Sequence, residues 1–159
     1  MIKKSMKRIL IIDNHDPIRL KLKNILEMAG YLVVAKSEGQ NGIDYYRNNP
    51  TDIVIADVFL PELEGLKTII QMKKEFPGAR IIAKTENQIS QGFKKYNPLQ
   101  SAKLLGALKT FSSPIDIQKL LKVVREITSP HIRYLRRSIR YKRFVVRENP
   151  NLNISFPGE

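Results

Sequence analysis

No cysteine occurs in the 159 residues, which excludes disulfides, thiolate metal sites and thiol nucleophiles and fits a cytoplasmic chain. Long apolar runs are missing too. The first, Ile9–Ile12, is closed by Asp13, too early for the apolar region of a secretory signal. No run approaches the ~18 residues of a membrane span, so a cytoplasmic protein without a span is expected. With two histidines, neither a zinc spacing nor a Ser-His-Asp order is persuasive, and there is no glycine-rich loop of the kind that cradles a nucleoside triphosphate.

What the chain has is an adequate core and much positive charge. Its hydrophobic fraction of 42% suits a packed domain, and the formal net charge is +13. The charge is uneven. Seven of the 28 Lys and Arg, but only two of the 15 acids, fall in residues 129–159. We divide the chain into a globular domain, 1–128, and a basic, arginine-rich extension, 129–159, whose field favours phosphate-rich or acidic partners.

Short apolar strands and amphipathic helices alternate through the globular part. Strands are expected at Ile9–Ile12, Tyr31–Ala35, Ile53–Ala56, Arg80–Ala83 and Ala107–Phe111, the first a continuous apolar run of the kind buried on both faces. Between them, Asp16-Pro17 reads as an N-cap and first helical residue, followed by Ile18, Leu22, Ile25, Leu26 and Ala29 at helical spacing up to Gly30. Further helices are expected over Gln40–Arg47, around Leu66–Met72, and through Ile115–Ile127. Residues 86–105 stay unassigned because Pro98 interrupts any single helix. This alternation predicts an α/β fold with a doubly wound, five-stranded parallel sheet.

In such a sheet ligands collect at the carboxyl ends of the strands. Those ends read Asp13-Asn14, Asp57, Thr85 and Ser112-Ser113-Pro114. Two carboxylates converging from adjacent strands repel unless a cation lies between them, and oxygen ligands suit Mg²⁺. One carboxylate could then act as a nucleophile toward a phosphoryl group.

Over about residues 6–128 the chain resembles the receiver domain of two-component response regulators, the CheY-like fold. The segments that carry the likeness are ILIIDNHDPIR (9–19), DIVIADVFLPELEG (52–65) with its Asp, Leu-Pro, Gly spacing, IIAKT (81–85), and a proline-bearing loop after the last strand. The resemblance implies a phosphoacceptor at Asp57, a switch hydroxyl at Thr85, and Mg²⁺ held by Asp13, Asn14, Asp57 and the Phe59 carbonyl. It also implies a histidine kinase or phosphotransfer protein as partner, a downstream protein target, and no turnover reaction beyond accepting and losing a phosphoryl group, so not an enzyme.

Two positions depart from the family. Asn14 stands where an acid is usual, which lowers the expected metal affinity; His15 and Asp16 are its neighbours, Asp16 being better placed as a cap. Ser113-Pro114 replaces the family's Lys-Pro, removing the ammonium that grips the phosphoryl oxygens. Lys84 and Lys109 are near in sequence but at the wrong positions. Slow phosphotransfer, or a pseudo-receiver, is therefore expected.

The extension contains RYLRRSIRYKRF (133–144), with six basic side chains and no acid. Arginine offers a planar fork to phosphate and a flat face to bases, and Tyr134, Tyr141 and Phe144 are interleaved. RRSIR (136–140) and NISFPG (153–158) resemble the two short motifs of PilZ domains, although the gap between them is short for that family. Certain CheY-like single-domain proteins with an arginine-rich C-terminal stretch bind cyclic di-GMP and act at the flagellar motor, and this layout is similar. The resemblance implies cyclic di-GMP contacts from Arg133, Arg136, Arg137, Arg140, Asn153, Ser155 and Gly158. Two other readings stay open: a nucleic-acid-binding regulator, with the basic arm on a homodimer, and a partner-docking module.

Overall fold

Arg8–Ile12 (β1), Leu32–Lys36 (β2), Ile53–Asp57 (β3), Ile81–Lys84 (β4) and Lys109–Phe111 (β5) form one sheet in the order β2-β1-β3-β4-β5. All neighbouring pairs are parallel. The computed structural model describes residues 5–59, 64–85 and 97–129. Every contact residue assigned to the extension, Arg133 to Gly158, lies outside the described residues, as do positions 60–63 of the Leu-Pro loop.

Among the described residues, four helices connect successive strands and a fifth follows β5: Asp16–Met28 (α1), Gly39–Asn48 (α2), Glu64–Glu75 (α3), Pro98–Leu104 (α4) and Ile117–Thr128 (α5). Side chains alternate between the two faces of a strand, so the central strands feed two separate cores. Leu10, Ile12, Val54, Ala56, Ile81 and Ala83 pack with Ile43, Ile69 and Met72 from α2 and α3. Ile9, Ile11, Ile53, Ile55 and Ile82 pack with Leu22 and Leu26 of α1 and Leu120 and Val124 of α5. The uninterrupted apolar runs follow from this two-sided burial.

The differences from the sequence reading are local. The N-cap of α1 is His15, with no side-chain capping bond, because the Asp16 carboxylate is held by Arg19 within the first turn. Pro98 does not interrupt a helix; it begins α4, where its missing N–H costs nothing. Asn97 caps that helix by accepting from the Leu99 and Gln100 amides. The last strand is shorter than expected, starting at Lys109 after Leu108 has donated to the Ile81 carbonyl at 2.7 Å. Gly30 closes α1 at φ 91°, a conformation that glycine adopts without penalty.

Candidate functional site

The alternation that builds the second core also builds the site. Continuing Ile9-Ile11 by two residues gives Asp13, continuing Ile53-Ile55 gives Asp57, and continuing Ile82 gives Lys84, all in the same phase of the pleat. Register then sets them side by side: Ile12 pairs with Ala56 and Asp57 with Lys84. Where the apolar runs end, the same face therefore carries a row of two carboxylates and one ammonium across β1, β3 and β4.

That row is closed to solvent. Asp13 is 0% exposed, Asp57 3% and Lys84 1%. The Lys84 Nζ lies 2.7 Å from Asp13 Oδ2 and 3.0 Å from Asp57 Oδ2. It donates a hydrogen bond to Asp57. The Asp13 contact is ionic, leaving Oδ2 without a directed hydrogen bond. The other oxygen of each carboxylate accepts from the backbone amide two residues on, His15 to Asp13 and Phe59 to Asp57, both at 2.8 Å. Burial by itself would depress the Lys84 pKa, but the Asp57 charge and the contact with Asp13 outweigh it, and the group is held above its ordinary value. The ammonium is thus charged across the physiological range.

The reading that set Lys84 aside is corrected by this geometry. A lysine after the last strand would lie two residues beyond Phe111, and Phe111 is the register partner of Lys84. The two positions share a face, so a lysine on β4 brings its charge to the pocket from the neighbouring strand. Ser113, half-buried and joined to Pro114 by a cis peptide bond, supplies no charge. A signal was present in the sequence: a lysine inside a strand apolar on both faces must find a partner. Lys109 does not join the cluster; it is exposed at the start of β5.

Other expected residues are placed as follows. Thr85 is 3% exposed and its hydroxyl has no hydrogen-bond partner among the described residues. Its amide donates to the Phe111 carbonyl at 3.1 Å. Asn14 is exposed. Asp16 is turned to Arg19, which also donates to the Asp13 carbonyl, so Asp16 does not replace the acid missing at position 14. Behind the site Gly65 packs so tightly that a Cβ there would lie 2.3 Å from the Asp57 carbonyl oxygen. The glycine of the Asp, Leu-Pro, Gly spacing is therefore a close-approach residue that seats α3 on the end of β3.

As arranged, these residues do not fit a divalent ion. The space between the carboxylates holds the Lys84 ammonium, both remaining carboxylate oxygens are engaged by amides, and Asn14 faces solvent. No group of three or more His, Asp or Glu suited to a metal occurs among the described residues.

Comparison with known proteins agrees with the geometry. The family model of the response regulator receiver domain matches residues 9–125. The chain is 32% identical over 117 residues to chemotaxis protein CheY of Thermotoga maritima, covering 67% of this chain and 98% of that one. It is 27% identical over 119 residues to sporulation initiation phosphotransferase F of Bacillus subtilis, covering 75% and 91%. Among solved structures, a CheY-like receiver domain from Methanospirillum hungatei superposes with a TM-score of 0.67 at 28% identity, over 77% of this chain and 93% of that one. No helix among the described residues is long and apolar enough to cross a membrane. The matched model spans well over half of the sequence, and the chain belongs to the response regulator receiver family.

Proposed function

We propose that Asp57 accepts a phosphoryl group from a histidine kinase or phosphotransfer protein, and that the domain passes on its phosphorylation state rather than catalysing a turnover reaction. The observation that carries this reading is the buried Asp57 carboxylate with a cation 3.0 Å from one of its oxygens. In the transfer a bond forms between an Asp57 oxygen and phosphorus as the bond from phosphorus to the donor's imidazole nitrogen breaks, the electron pair staying with that nitrogen. Both Asp57 oxygens are held, Oδ1 by the Phe59 amide and Oδ2 by the Lys84 ammonium, so the attacking oxygen gives up one of these bonds as the bond to phosphorus forms. The Thr85 hydroxyl, without a hydrogen-bond partner among the described residues, suits a phosphoryl oxygen that arrives with the charge. Incubation with phosphoramidate, followed by intact-mass measurement, should add one phosphoryl group, and Asp57→Asn should remove it. Absence of labelling in the unsubstituted protein would make the domain a pseudo-receiver.

For the extension the reading rests on sequence. The family match ends at residue 125, ahead of the arginine-rich segment, whose paired arginines with interleaved aromatics suit a cyclic dinucleotide with two phosphodiesters and two bases. We propose cyclic di-GMP, contacted by Arg136 and Arg140. Calorimetry against cyclic di-GMP should show binding that is lost in R136A/R140A. Binding to DNA alone, weakening steeply with salt, would favour the nucleic-acid reading instead.

A further inference from the structure

The cation in this site belongs to the chain. We propose that Lys84 replaces a divalent metal, so that this receiver holds its carboxylates together and takes up a phosphoryl group without one. This rests on Asp57 being the acceptor, but the two ideas fail separately, as the tests below are arranged to show.

Charge supplies the first argument. An acidic pair at positions 13 and 14 together with Asp57 would gather three carboxylates, a set that cannot stay ionised in a buried pocket without a multivalent cation. Here Asn14 removes one of those charges and Lys84 cancels another, leaving one uncompensated negative charge among Asp13, Asp57 and Lys84. Amides from His15 and Phe59 already meet part of it. Both substitutions lower the demand for a metal, and they lower it together.

Position supplies the second. A metal shared by Asp13 and Asp57 would have to sit between their facing oxygens, and those are the two atoms that Lys84 Nζ contacts, at 2.7 and 3.0 Å. The lysine is 1% exposed. Its backbone is locked on both sides: it pairs with Asp57 and with Phe111 in the sheet, and its carbonyl accepts from the Val58 amide at 2.8 Å. An ion entering would have to expel the ammonium from a pocket that offers it two buried counter-charges. Hexahydrated Mg²⁺ sheds water reluctantly, which adds to the barrier.

Asp16 is not available as a substitute ligand because Arg19 holds it outside the pocket. The phosphoryl group would bring its own negative charge to an ammonium already in place, and lysine serves as a point charge for phosphate.

The test compares the full chain with Lys84→Met and Lys84→Gln by thermal unfolding and calorimetry in Mg²⁺ and in Mn²⁺, with phosphoramidate labelling followed in parallel in EDTA and in Mg²⁺. The unsubstituted protein should show no metal-dependent rise in melting temperature at millimolar ion and equal labelling in EDTA and Mg²⁺. At least one variant should gain a metal-dependent rise in melting temperature. Metal binding by the unsubstituted protein as tight as in the variants would overturn the proposal, as would labelling that rises tenfold or more on adding Mg²⁺. If the unsubstituted protein is not labelled under any condition, the acceptor reading falls, while the metal titrations still decide the role of Lys84.

Discussion

Asp57 and Lys84 are register partners on adjacent parallel strands, and the lysine bends along the row of strand tips until its ammonium bridges Asp57 to Asp13. A buried charge with one partner removed is among the most damaging changes a core can suffer.

Lys84→Met should therefore destabilise the domain by about 3–5 kcal/mol at neutral pH, since it leaves two buried carboxylates facing each other. Asp57→Asn should cost much less, because the ammonium keeps Asp13. Urea denaturation of the two variants, side by side, measures the difference. An equal loss would mean that the ammonium is not what holds the carboxylates together.

Thr85→Val should leave the unphosphorylated protein as stable as before or slightly more so, by up to about 1 kcal/mol, because a buried hydroxyl with no partner among the described residues is replaced by a methyl group of similar size. The loss should show only after labelling. Denaturation midpoints with and without phosphoramidate give both numbers, and a clear loss in the unlabelled protein would reveal a hydrogen bond to the hydroxyl.

Gly65→Ala should cost about 1–3 kcal/mol, the range for forced overpacking, since the added Cβ meets the backbone at 2.3 Å from the Asp57 carbonyl oxygen and 2.6 Å from Val58. Backbone cannot turn aside as a flexible side chain can. The shift of α3 away from β3 should also slow labelling at Asp57. Full stability together with full labelling would show that the helix start yields freely.

Acid should weaken the tie between α2 and α3. Arg47 donates to Glu75 and to Asp44 at the surface. The Arg47 contact is the largest cause holding each carboxyl below its usual range. A depressed carboxylate contributes stability above its unfolded value, and the contribution is lost as pH falls through the folded value, which for both groups lies below the ordinary carboxylate range. Arg47→Met should lower the melting temperature slightly at neutral pH and not at all in strong acid. Because the groups are exposed, the difference should also shrink with salt.

Much of this protein was legible in its residues. The apolar runs of β1, β3 and β4, each ended by a polar or charged residue, define the two-faced centre of a parallel sheet because only residues covered on both sides lack polar alternation. The same runs point to Asp13, Asp57 and Thr85, since strand ends in such sheets converge. Pro98 was the ambiguous residue: proline stops a helix from inside and starts one from its first turn, and only the capping bonds of Asn97 distinguish the two.

Local pattern therefore determined the fold and the acidic half of the site, through hydrophobic periodicity and strand termini. The cationic half was decided by tertiary structure alone. Whether a lysine at position 84 reaches two carboxylates depends on which strands are neighbours, on the register that sets Lys84 beside Asp57, and on burial that encloses the ammonium with Asp13 and Asp57. Those are long-range relations, and a motif read along one strand cannot contain them.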